Sequence, residues 1–112
     1  MQSEALVNLM IKSCDNKNAE NIMKFDVTDT SSVTDYYIIC HGHSDRQVQA
    51  IADEVKEAST DNNLHTVTEG YREGKWILVD VNNVIVHIFH KPERDYYNLE
   101  RLFKNGEHVD VS

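Results

Sequence analysis

Long apolar runs, a basic excess and cysteine are all scarce in this 112-residue chain, and each scarcity removes a class of protein. No stretch approaches the roughly 18 consecutive apolar residues of a membrane-spanning helix. The opening MQSEALVNLMIKSCDNK has no basic region followed by an unbroken apolar core and a small-residue cleavage site, so neither a membrane span nor a secretory signal is expected. Cys14 and Cys40 are the only cysteines. Two do not make a disulfide framework, and a reducing, cytoplasmic setting is the expectation. Lysine and arginine total 11 against 19 aspartates and glutamates, a formal charge of -8. That field disfavours sequence-indifferent attraction to a phosphate backbone and favours a basic protein surface, although it also serves ordinary solubility.

Catalytic constellations are equally thin. The six histidines, at 41, 43, 65, 87, 90 and 108, show no HExxH spacing, no paired CxxC beside them and no cysteine or carboxylate at a zinc-like interval. His41 and His43 would point the same way only if a strand ran through both. Cys40 and His41 are neighbours, which places them on opposite faces of a strand and makes proton transfer between them awkward. Gly42 before a helix starting near Ser44 could present amides to an anion, but a turn glycine feeding a capped helix accounts for it. Aspartates 26, 29 and 35 would gather a magnesium ion only if their loop folded back, and a solvated acidic loop is the simpler reading. No catalytic, metal or cofactor residues are therefore assigned.

What remains is a folded, soluble composition, with 40% hydrophobic and 27% charged residues, and enough length for one domain with one modest core. Residues 3 to 14 carry Leu6, Leu9, Met10 and Cys14 at helical spacing. NIMKFDV, 21 to 27, alternates Met23, Phe25 and Val27 with Lys24 and Asp26, as a strand does. TDTSSVTD reads as a loop, and YYIIC, 36 to 40, as a strand covered on both faces. Ser44 and Gln47 allow a capping box ahead of a helix striped with Val48, Ile51, Ala52 and Val55, which ends near residues 59 to 63. LHTVTE, 64 to 69, is a short strand. WILVDV and VIVHIF, 76 to 81 and 84 to 89, flank Asn82 and Asn83 and form a tight hairpin. Val81 then faces Val84, Val79 faces Val86 and Ile77 faces Ile88 on an aliphatic side, while Asp80–Ile85, Leu78–His87 and Trp76–Phe89 share the other. After Pro92 a final helix places Tyr96, Leu99, Leu102 and Phe103 on one face, with Gly106 as its stop. The expected fold is α/β: a single small domain over residues 1 to 112, with a mixed five-stranded sheet and about three helices. Most of the helices belong on the aliphatic side of the hairpin, leaving part of the Trp76 face uncovered.

Trp76 is the only tryptophan. With Leu78, Tyr71 and one edge of the final helix it has the composition of a protein-interface centre, aromatic anchors rimmed by lysine or arginine. The bland alternative is that Trp76 simply closes the core against that helix.

Taken together, SSVTDYYIIC, SDRQVQAIADEV, EGYREGKWILVD and VIVHIFHKPERDYYNLERLF resemble the ribosomal silencing factor, or iojap-like, family from about residue 25 to residue 103. The resemblance implies a nucleotidyltransferase-like fold without turnover. It also implies binding to the large ribosomal subunit through its protein number fourteen, steric obstruction of small-subunit joining, repression of translation when nutrients are scarce, and homodimers. Gly70, Tyr71, Lys75, Trp76, Asp80, His87, His90, Asp95, Tyr96, Tyr97, Leu99 and Glu100 match recurrent family positions, and Phe103 stands where a tryptophan is common. By that resemblance the protein-binding residues would be Tyr71, Lys75, Trp76, Leu78, Tyr96, Tyr97 and Glu100. The alternative is a nucleotidyltransferase-like enzyme binding a nucleotide and magnesium. Against it, Gly42, His43 and Ser44 are not followed by an Asp-x-Asp pair on the next strand.

Overall fold

The computed structural model describes residues 2–101 in full and the backbone of 102 and of 106–108. The chain runs α1 (Ser3–Asn16), β1 (Glu20–Asp26), β2 (Tyr36–Gly42), α2 (Asp45–Asp61), β3 (Thr66–Glu69), β4 (Trp76–Val81), β5 (Val84–His90) and α3 (Lys91–Tyr97). A single 3₁₀ turn (Leu99–Leu102) and a three-residue β6 (Gly106–His108) complete it. The sheet order is β3-β4-β5-β2-β1-β6. Among the described residues only β2 and β5 pair in parallel, so the sheet is mixed as expected, with the five expected strands and a short sixth added at the edge.

Alternation along the strands divides this sheet into two unlike faces. Asn82, at φ 56°, takes the left-handed conformation the hairpin turn needs. The register it fixes pairs Ile77 with Ile88, Val79 with Val86 and Val81 with Val84. All six are fully buried under α1 and α2, which bring Leu6, Met10, Val48, Ile51, Ala52 and Val55 to the same cluster. At about 25 cal/mol per Å² of apolar area removed from water, each such side chain contributes about 2 kcal/mol before entropy is charged against it. The α2 helix starts where Ser44 Oγ accepts the Gln47 amide N–H at 3.0 Å, while Gln47 Oε1 accepts from the His43 amide at 2.8 Å. The capping pair thereby ties down the turn after Gly42.

β2 is covered on both sides. Ile38 and Cys40 enter the large cluster, whereas Ile39 enters a second, smaller one with Phe25, Val27 and Phe89. Met23, Tyr37, Trp76 and Leu99 pack partly buried against that second cluster.

The last helix differs from its expectation. It stops at Tyr97, because Asn98 adopts φ 49° and caps it by donating its N–H to the Arg94 carbonyl at 2.8 Å. The turn re-aims the chain beyond Asn98, so Tyr96 and Leu99 do not share a face: Tyr96 is 82% exposed while Leu99 packs on the second cluster. The expectations for the side chains of Leu102 and Phe103 lie outside the described residues.

Candidate docking surface

The face of the sheet opposite α1 and α2, covered only in part by α3 and the 3₁₀ turn, carries the candidate site. Strand alternation brings Trp76, Leu78 and Asp80 of β4, His87 and Phe89 of β5, Tyr37 of β2, and Val67 and Glu69 of β3 to this side. Trp76 stacks on the buried Phe89 ring at 4.9 Å and 24°, and Tyr97, the last residue of α3, leans on the indole at 4.9 Å and 46°. Tyr96 meets Tyr97 edge-on at 5.1 Å. The indole is thus held from below and from one side and is only partly buried, with Leu78 half-buried beside it and Val67 52% exposed beyond. Trp76 therefore roofs the small cluster while part of its ring stays exposed.

The indole N–H donates to His87 Nδ1 at 3.1 Å. Burial pushes the His87 pKa down to about 4, so the ring stays neutral and its Nδ1 lone pair stays available. Tyr37 packs against the other flank of the imidazole, with ring centroids 5.4 Å apart. Tyr37 was not singled out from sequence, because YYIIC carries no polar alternation to mark which tyrosine faces the open side.

Two of the residues named from sequence lie elsewhere. Tyr71 and Lys75 turn toward α2, away from Trp76. The Tyr71 hydroxyl donates to Asp53 at 2.9 Å, Lys56 sits over its ring, and Gln49 donates to its carbonyl. Lys75 donates to Asp45 at 2.9 Å, a bond that raises its pKa. The cause is local: Gly70, at φ +79°, turns the chain back toward α2, and Lys75 precedes Trp76 by one position and so points oppositely. Glu100 lies nearer the patch but is already engaged, accepting from Arg94 Nε at 2.6 Å. Arg94 is buried and also donates to His41 Nδ1 at 2.8 Å and to the Glu20 carbonyl at 3.4 Å. It therefore clamps α3 and the 3₁₀ turn onto β1 and β2, and with them Tyr97 onto Trp76.

Other groupings do less. Glu20, His41 and His43 form a group with metal-ligand spacing among the described residues, His43 hydrogen-bonded to Glu20 and its ring edge-on to His41. Burial, then the Arg94 guanidinium, lowers the His41 pKa. The same guanidinium opposes a second cation and already engages His41 Nδ1, so these residues suit a metal poorly. Asp26 accepts from Thr28 and Asp35 from Asn83, which keeps the loop carboxylates on separate tasks. Cys14 and Cys40 are buried free thiols. The hydrogen bond to Cys40, and then burial, pushes the Cys14 thiol well above its ordinary pKa.

Comparison with known proteins gives the same direction. A family model described as "Ribosomal silencing factor during starvation" matches residues 1–112. The ribosomal silencing factor RsfS of Bacillus subtilis is 44% identical over 112 residues, covering 99% of this chain and 95% of that one. A crystal structure from Bacillus halodurans superposes with a TM-score of 0.85 at 38% identity, over 97% of this chain and all of the other. One from Chromobacterium violaceum superposes with a TM-score of 0.91 at 29% identity, over all of this chain and 92% of the other. With its whole length matched and its fold shared, the chain belongs to the ribosomal silencing factor family.

Proposed function

We propose that this protein represses translation in the cytoplasm, under nutrient limitation, by occupying the large ribosomal subunit. It binds through the subunit's protein number fourteen and obstructs joining of the small subunit. The observation that carries this reading is the half-exposed aromatic patch of Trp76, Leu78, Tyr97 and Tyr96 on the sheet face that α1 and α2 leave open. A stable complex buries about 1,200 to 2,000 Å² in total. A tryptophan anchor with an apolar neighbour is the usual centre of such a contact. Asp80 and Glu69 on the same face, and the net charge of -8, suit a basic partner. The mechanism is steric occupancy, requiring no turnover. The same patch could pair with a second copy of the chain, in which case homodimer and ribosome complex compete for one surface.

Co-sedimentation with purified subunits at two salt concentrations tests the reading. The protein should travel with the large subunit alone, less so at higher salt, and joined ribosomes should decline. Trp76→Ala should weaken capture by about thirtyfold, the equivalent of about 2 kcal/mol, with the circular dichroism of the fold retained. Absence of the protein from the large-subunit fraction would overturn the proposal.

A further inference from the structure

We propose that His87 is a positioning residue for the docking surface, fixing the Trp76 indole and determining what kind of group a partner can set against it. This rests on reading the Trp76 patch as the surface that docks. His87 is a buried imidazole and, among the described residues, its one hydrogen bond to a side chain is the one it accepts from Trp76 Nε1. It lies directly across the ladder from Leu78, two pairs along from Trp76 and on the same face. An indole stacked on Phe89 and touched by Tyr97 can still rotate in its plane or swing outward. The bond from Nε1 to a buried acceptor selects one orientation, as polar tips of aromatic side chains do when they find a fixed partner.

Since Nδ1 accepts, the proton of the neutral ring is on Nε2. The consequence for recognition is a surface whose only indole N–H is already bonded within the protein. A partner meets the ring's face and edge, with Leu78 adjacent and the carboxylates of Asp80 and Glu69 on the same side of the sheet. The complementary group is therefore an aliphatic or cationic side chain stacking on the ring, in place of a hydrogen-bond acceptor aimed at it.

The test uses the whole chain, with purified large subunits as the probe. Asparagine can offer an amide oxygen near the place of Nδ1, whereas leucine offers no acceptor. His87→Asn should keep large-subunit affinity within about threefold of the unmodified protein, and His87→Leu should lose tenfold or more with its circular dichroism unchanged. Trp76→Phe, which removes the N–H and keeps a ring, should lose affinity by itself, and adding His87→Leu to it should cost little more. Fully additive losses, or equal affinity for His87→Leu and the unmodified chain, would overturn the proposal while leaving the docking surface standing. If the unmodified chain is not captured at all, the docking reading falls instead. A measurement free of any variant then decides the positioning itself. The single indole N–H resonance should exchange with water markedly more slowly than a free indole, and exchange at the free rate would refute it.

Discussion

Acid should destabilise this protein through His87 in a pH window that its burial defines. The ring titrates at an ordinary 6.5 in the unfolded chain and at about 4 in the folded one. Between those values the unfolded chain binds a proton that the folded chain refuses, so stability falls as pH falls. Above pH 6.5 the contribution is fully present. By pH 5.5 roughly 1 kcal/mol of it is gone, and by pH 4 roughly 3 kcal/mol, since each pH step of one within the window removes a little over ~1 kcal/mol. Domains of this size are commonly stable by about 5–15 kcal/mol, so the loss is a sizeable fraction of the total. Urea unfolding at pH 7, 5.5 and 4.5, followed by Trp76 fluorescence and by circular dichroism, measures it. The depressed pKa values of Asp26, Asp95 and His41 also contribute acid sensitivity, so the informative quantity is the difference between the unmodified protein and His87→Asn. The variant should lack roughly 1 kcal/mol of the pH dependence between 7 and 5.5. Parallel stability profiles for the two proteins would refute the reasoning, because the imidazole would then not be held neutral by its surroundings.

Three further outcomes rest on geometry. Arg94→Met should destabilise the fold by about 3 kcal/mol in urea unfolding, since it leaves His41 and Glu100 without their shared guanidinium and frees α3 from β1 and β2. Tyr71→Phe removes an exposed hydrogen bond to Asp53 on the α2 side; it should change stability by less than about 0.5 kcal/mol and leave large-subunit capture unaltered by co-sedimentation. Neither thiol should react with an aromatic disulfide reagent in the native protein, and both should react once urea exposes them.

The parts of the fold legible in the sequence are those in which one short-range rule acts without competition. Two asparagines between apolar runs set the hairpin turn, and alternation then placed all six facing pairs correctly. The α2 stripe and its Ser44 cap came likewise from helical spacing. The final helix misled because its apolar spacing continued beyond Tyr97, while a single left-handed residue, Asn98, overrode it. For the surface, Trp76 and Leu78 came from strand alternation. Tyr71 joined them on interface composition and Lys75 on family resemblance, neither of which registers the turn at Gly70 and the ion pair to Asp45 that send both to the α2 side. The role proposed for His87 depends on a diagonal bond between same-face rungs two apart on the ladder, which a register can permit but cannot reveal.

The sheet, closed by α1 and α2 on one side and covered only in part by α3 on the other, would tie the proposed docking to correct assembly. Residues 77, 79 and 81 of β4 face the core, while 76, 78 and 80 face outward. A slip of one residue along β5 would exchange the two sets together, burying Asp80 and exposing valines. No chain in the wrong register could therefore present Trp76 outward while keeping a sound interior. If that face is the docking surface, the ability to bind becomes a proofreading signal for folding, since a misfolded copy would lack it.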